Sequence, residues 1–364
     1  MVIHMASKSL YKEYEGLVKK RTLFLFSLTL LLLILAMVSI SIGTVKIPLP
    51  DVIKALLIPL FSKYFKSNIL TLNVIWNLRL PRTIMAILTG ACFGVAGCIL
   101  QVTLKNPLAS PYTIGVASSA AFGAALAIIL GAGITGWGGR VIVYKNPYFI
   151  VFNAFTMSMI CSLIIMALSL YKGASPGTTI LAGISMTYLF SALTSLLQYF
   201  GTTEQIAAVV FWVFGDLGKA EWFDVAITAS ILFILVPMVF IFSSDYNAVL
   251  AGDETAASLG VNVRRLRIMS LAVASLLTAT PVSFIGTIGF VGLLAPHIAR
   301  MAIGSDHRFL IPSALLTGSI LLLAADAISR TIVSPLILPV GIVTAFMGVP
   351  LFLYLLLSRR EKYW

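Results

Sequence analysis

Nine stretches of this chain run for 17 residues or more without one Asp, Glu, Lys or Arg: 22–45, 83–104, 106–139, 146–171, 173–203, 225–244, 268–299, 309–325 and 331–358. A bilayer's hydrocarbon core is about 30 Å thick, and roughly 20 mainly apolar residues of helix cross it. Chain buried in lipid must also satisfy its own backbone hydrogen bonds, so only helices and closed barrels can span. Runs of this length predict helices. The composition agrees: 59% of the 364 residues are hydrophobic and 10% charged, where soluble domains carry roughly 25% charged residues. A soluble enzyme and a disordered chain are both excluded.

Two runs need dividing. Run 106–139 opens with Asn106-Pro-Leu-Ala-Ser-Pro111, a loop composition that precedes one helix. Run 268–299 contains Pro281, Gly286, Gly289 and Gly292. It reads either as one span plus a half-span or as two short spans with a turn near Pro281 to Thr287. Two are preferred, for a total of about ten transmembrane helices in an all-α polytopic bundle. Residues 205–215 are too short to cross and read as interfacial or re-entrant. The domain expectation is a basic N-terminal tail at 1–21, a transmembrane domain at 22–358 and a short tail at 359–364. The tail is not a cleaved signal peptide, because the following run is too long for one and lacks a small-residue cleavage site.

Ten spans put both termini on one side. Placing them in the cytoplasm puts 15 of the 25 Lys and Arg inside, the sign the positive-inside rule requires. Lys46, Lys54, Lys63, Lys66, Arg79 and Arg82 cluster on the outer side ahead of the second span. The +12 net charge therefore belongs to membrane-flanking loops and gives no support to nucleic-acid binding.

Chemistry-bearing motifs are missing. There is no phosphate loop, no H-E-x-x-H and no G-x-S-x-G elbow. Cys92, Cys98 and Cys161 lie within apolar runs, and His4, His297 and His307 are scattered. Intramembrane ionisable groups, which mark ion-coupled pumps, are nearly absent. Asp326 and Arg330 read as an i,i+4 ion pair near a helix end. Small residues are frequent instead, as in Gly90-x-x-x-Gly94 with Gly97, a pattern that lets helix backbones approach closely.

The segment 245–267 stands apart. Asp253 and Glu254 open a helical stretch that includes Ala256 and closes at Leu259-Gly260, with acidic residues at its start and Gly at its end as boundary signals. It reads either as an amphipathic loop helix on the membrane or as a docking helix for a soluble partner.

At this point the sequence resembles the permeases of ABC importers, and within them the FecCD-type family of iron-siderophore, haem and vitamin B12 uptake. Asn77-Leu-Arg-Leu-Pro-Arg82, Asn106-Pro-Leu-Ala-Ser-Pro111 with Gly115, Gly286 to His297 with Arg300, Asp306-His-Arg308, and Leu338 to Thr344 through Gly348-x-Pro350 resemble its motifs in order and spacing. The resemblance implies a vitamin B12-type importer permease fold in the cell membrane, working as a dimer of permeases, a homodimer by preference. Its partners would be a cytoplasmic ATPase dimer, which uses ATP and Mg, an extracytoplasmic substrate-binding protein and membrane lipid. This chain itself would bind no cofactor and catalyse no reaction. Gly252, Asp253, Glu254, Ala256, Leu259 and Gly260 would form the coupling helix seated on the ATPase. Arg79, Arg82 and Arg330 would offer charge to the binding protein, with Asp326 holding Arg330 in place. Asn106 and Leu108 match the cytoplasmic gate, and the span at about 178–200 would line the path.

The competing classes are a secondary transporter or channel needing no ATPase, which leaves 245–267 without a role, and an integral-membrane enzyme, for which no catalytic residues converge. The resemblance leaves the cargo among ferric siderophore, haem, cobalamin and molybdate or tungstate. An iron chelate or a corrinoid is preferred on family frequency.

Overall fold

The computed structural model describes residues 2–43, 47–58, 68–131 and 147–357. Lys46, Lys63, Lys66 and the tail at 359–364 lie outside them, as does the end of run 106–139. The described residues form helices joined by turns, with no strand among them.

The first helix, α1 (Val2–Ser41), carries the basic stretch and the first apolar run as one element of 40 residues. At 1.5 Å per residue it is about 60 Å long, so the tail at 1–21 is a helical extension of the first span. A short α2 (Leu49–Leu57) and α3 (Ile69–Asn73) follow. A π-helical turn over Val74–Arg79 then leads into α4 (Leu80–Thr103). Pro81 explains that turn. Its ring has no N–H and crowds the carbonyl four residues back, that of Asn77, and a widened turn relieves the clash.

After turns at 104–115 come α5 (Val116–Ile129), α6 (Pro147–Tyr171), α7 (Pro176–Phe200) and the short α8 (Thr203–Val213). Next are α9 (Trp222–Ile241), α10 (Ser243–Leu250), α11 (Asp253–Ser258) and α12 (Val263–Ile285). The chain ends with α13 (Val291–Ile303), α14 (His307–Ser329) and α15 (Val340–Leu357). Among the described residues seven helices are long and apolar enough to cross a membrane, where ten were expected, and α5, α8, α13 and α15 are shorter apolar helices.

Run 268–299 divides later than expected. The first helix continues through Pro281 to Ile285, and the break falls at Gly286 to Phe290, which sit at φ +80° and +66°. The result is one full span and a 13-residue helix of about 20 Å. The last residue of α8 and the turn that follows it pack against the break. The Asp216 N–H donates to the Ile285 carbonyl at 2.7 Å, and the Thr287 hydroxyl donates to the Val213 carbonyl at 2.5 Å. The Gly341 N–H at the start of α15 donates to the Phe214 carbonyl at 3.1 Å. Irregular backbone survives in a membrane only where protein covers it in this way. The segment expected to be interfacial or re-entrant is an 11-residue helix that buries Val209 and Trp212 and whose end packs against the break.

The core is built around α4, which is buried along almost its whole length. A methyl group added at Gly90 would strike the Gly318 carbonyl, one at Gly94 the Ala314 carbonyl, and one at Gly97 the Gly292 carbonyl. These glycines set backbone-to-backbone contact of α4 with α14 and α13, the close packing that holds helices together in lipid. By contrast α1 packs on one side and leaves Leu23, Phe26, Leu33 and Ile34 exposed, a surface suited to acyl chains.

Candidate coupling site

Call the end of the bundle where α1 begins the lower end, and the other the upper. The lower end is tied by long-range polar contacts. Arg21 donates to the Ile303 carbonyl at 3.0 Å and pairs with Asp306 at 3.1 Å; Asn247 donates to Asp306 at 2.9 Å. Asp306 thereby joins α1, α10 and α14. Partial burial would raise its pKa, but hydrogen bonds from Arg308, Asn247 and the Arg308 backbone outweigh that and hold it at about 2.

The segment 252–260 projects from this end. Gly252, at φ +122°, turns the chain out of α10. Asp253 begins α11, which closes in a Schellman motif: the Gly260 N–H donates to the Ala257 carbonyl and the Val261 N–H to the Ala256 carbonyl, both at 3.0 Å. That closure requires a left-handed residue at its C′ position, and Gly260 supplies it at φ +87°. Ala256 is fully buried and anchors the turn, while Glu254 and Leu259 face outward, Leu259 with 69% of its surface exposed. The predicted limits of this helix, acidic start and glycine end, match the geometry.

Asp253 does more than open the helix. Its carboxylate pairs with Lys105 at 3.0 Å and with Arg267 at 3.2 Å. Burial works against its charge, yet these two cations keep its pKa below the ordinary carboxylate value. The backbone after Thr103 turns sharply, with Lys105 at φ +46°. Asn106 shapes the loop that follows: its N–H donates to the Gln101 carbonyl at 3.1 Å, and its side-chain oxygen accepts from the Leu108 N–H at 2.9 Å. Leu108 is 46% exposed. The structure therefore brings the predicted coupling residues and the predicted gate residues to one end, linked through Asp253 and Lys105.

Arg267 was not singled out from sequence. Three arginines, 264, 265 and 267, precede the apolar part of α12, and only Arg267 is buried, sharing a face with Ser270, Leu271 and Ala274. That helical spacing was the available signal.

The upper end departs from expectation. Arg79, Arg82 and Arg330, expected to present charge to a partner, are all buried, at 7%, 9% and 5% exposure. Arg82 bonds Asp326 at 2.7 Å, and Arg330 meets the same carboxylate at 3.0 Å, giving the predicted i,i+4 pair a second cation. Arg330 also donates to the Ser39 and Ile42 carbonyls at 3.0 and 2.7 Å and to the Ser39 hydroxyl at 2.6 Å. Arg79 donates to the Ile40 and Ser41 carbonyls at 2.7 and 3.0 Å. The physical reason is the C-terminus of α1, whose unpaired carbonyls carry partial negative charge and attract cations. In this conformation the guanidiniums are turned inward.

An apolar cavity of about 550 Å³ lies between the break, the end of α8 and α15, lined by residues including Tyr112, Phe214, Thr287, Phe290, Gly341 and Phe346. The helix expected to line the path, α7, contributes no residue to it.

Comparison with known proteins agrees with the geometry. A family model described as the FecCD transport family matches residues 31–358. A protein of Methanocaldococcus jannaschii named as an ABC transporter permease is 45% identical over 355 residues, covering 96% of this chain and 99% of that one. The hemin transport system permease of Yersinia pestis is 36% identical, over 79% of this chain and 84% of its own. The cobalamin import system permease of Halobacterium salinarum is 37% identical, over 79% and 74%. A solved structure described as an inward-facing, metal-chelate type ABC transporter superposes with a TM-score of 0.77 at 29% identity, over 93% of this chain and all of that one.

Proposed function

The chain belongs to the FecCD transport family, whose members are permease subunits of ABC importers and not enzymes, and from that premise we propose that it forms the membrane path of an ATP-driven importer for a metal chelate. The lower end faces the cytoplasm, with both termini, and the upper end faces outside. Residues 252–260 seat on a cytoplasmic ATPase dimer, and Asn106 and Leu108 lie at the cytoplasmic gate. A second copy of this chain completes the path, and an external binding protein delivers the cargo. That protein docks on an upper face whose shape Arg79, Arg82 and Arg330 maintain from within by holding the ends of α1, α4 and α14 together.

The observation that carries the reading is the projecting 252–260 turn. It is anchored by Ala256 and Asp253, outward-facing at Glu254 and Leu259, and wired to the loop at 105–108. A freestanding transporter has no use for it. ATP binding by the partner moves this turn, and the bundle switches between two states of access, a rigid-body two-state change. The cargo is an iron chelate, siderophore or haem, or cobalamin. Near-equal identity to a hemin and a cobalamin permease supports the class and does not choose within it.

The test is mass spectrometry of what co-purifies with the C-terminally tagged chain from native membranes. An ATP-binding-cassette protein in equal stoichiometry is expected. The permease alone, with vanadate-insensitive uptake in vesicles, would mean a secondary transporter.

A further inference from the structure

We infer that Arg267 is a positioning residue that transmits movement of the 252–260 turn to the 105–108 loop and to the start of α7; this rests on the coupling role proposed above. Arg267 is 4% exposed, and its guanidinium reaches in three directions. The Nε–H donates to the Thr103 carbonyl at 2.7 Å, Nη1 to the Ala174 carbonyl at 2.6 Å, and Nη2 to Asp253 at 3.2 Å. Thr103 is the last residue of α4, and Ala174 lies in the turn between α6 and α7. Carbonyls at helix C-terminal ends have no partner within their own helix and carry partial negative charge, so a buried cation holds both ends firmly.

The third contact closes a triangle. Asp253 meets α4 twice, through Arg267 bonded to Thr103, and through Lys105, two residues further along the chain. A single link would let the two segments pivot about it; two links to adjacent points fix their relative orientation. Movement of Asp253 is therefore passed to residues 103–106 as displacement, and Asn106 and Leu108 come next in the chain. The arm to Ala174 carries the same displacement to α7. Arg267 meets the three acceptors through three different nitrogens of a planar fork, whereas a lysine's N–H donors all radiate from one nitrogen on a flexible stem. The neighbouring Arg264 shows the contrast, being exposed with one 3.3 Å bond to the Leu170 carbonyl.

A single reporter tests this. Cys92, Cys98 and Cys161 are all buried, so Leu108→Cys adds one thiol accessible to a membrane-impermeant maleimide. The labelling rate is measured in the co-purified permease–ATPase complex with and without ATP and vanadate. The ratio should be roughly fivefold or more, the low end of ordinary coupling between sites. Arg267→Lys should bring that ratio to about twofold or less, and Lys105→Gln, at a half-exposed position, should lower it part of the way. A merely structural role would lower thermal stability and leave the ratio alone. A full ratio in Arg267→Lys overturns the inference; if that variant does not assemble, a full ratio in Lys105→Gln overturns it, because the two-link coupling through Asp253 then carries no movement. If no ATPase co-purifies with the Leu108→Cys chain, the importer reading itself falls. If the ATPase is present and nucleotide leaves the ratio at unity, only the Arg267 linkage falls.

Discussion

Asp326→Asn should be among the most damaging single changes outside the close-packed glycines. The carboxylate is fully buried, 2.7 Å from Arg82 and 3.0 Å from Arg330, both nearly buried themselves. Amide for carboxylate preserves shape and removes the one negative charge facing two guanidiniums. Breaking a buried pair from one side costs about 3–5 kcal/mol, because the remaining charge is left uncompensated. Arg330 keeps its bonds to Ser39 and Ile42, whereas Arg82 loses its only ion pair among the described residues, so most of the cost falls on Arg82. Reversible unfolding in mixed micelles should show a loss in that range. Arg82→Met combined with Asp326→Asn should fall short of additivity by about 1–3 kcal/mol, as for residues in direct contact. Asp51→Asn is the control, since Asp51 and Lys54 are about half exposed and such pairs contribute about 0–1 kcal/mol. Equal, small losses at Asp51 and Asp326 would refute the argument that the upper end depends on the buried cluster.

Other consequences follow from particular contacts. Gly94→Val places a methyl on the Ala314 carbonyl and should abolish monodisperse protein on size exclusion, whereas Gly177→Val, with open space around it, should leave the elution profile unchanged. Gly260→Val meets no atom but forces a branched residue to φ +87°, a strain of about 1–3 kcal/mol; it should raise ATP hydrolysed per cargo transported in proteoliposomes, and wild-type transport would contradict the coupling role. For Asp306, the native pKa of about 2 lies below the ordinary 3.8. Its stabilising contribution is therefore complete above pH 3.8 and lost as pH falls through 2. The stability gap between wild type and Asp306→Asn should be flat from pH 5 to 8 and should close between pH 4 and 2.

Hydropathy alone placed the helices, because burial in lipid acts on every residue of a span and leaves its mark locally. The 252–260 turn was equally legible: acidic residues favour a helix start and a left-handed C′ position demands glycine, both within a few residues of chain. The break in run 268–299 was visible as glycines but misplaced. Its position depends on the end of α8 and the turn after it: the Asp216 N–H satisfies the Ile285 carbonyl, and the Thr287 hydroxyl reaches the Val213 carbonyl 74 residues away.

The fate of the charges lay beyond the sequence. A guanidinium reads the same whether it faces water or a carboxylate, and what decides is a partner far along the chain. Arg82 and Asp326 are 244 residues apart, Arg330 and Ser39 291, and Arg267 and Thr103 164. Local propensity and hydropathy therefore determined that this is a helical membrane protein, roughly where its apolar helices run and where the turn at 252–260 lies, while the ordered motifs carried the resemblance to a permease family. Only the packed bundle decided that three upper arginines turn inward and that Arg267 joins the projecting turn to α4 and α7, because a buried charge is stable only where folding has already brought its partners.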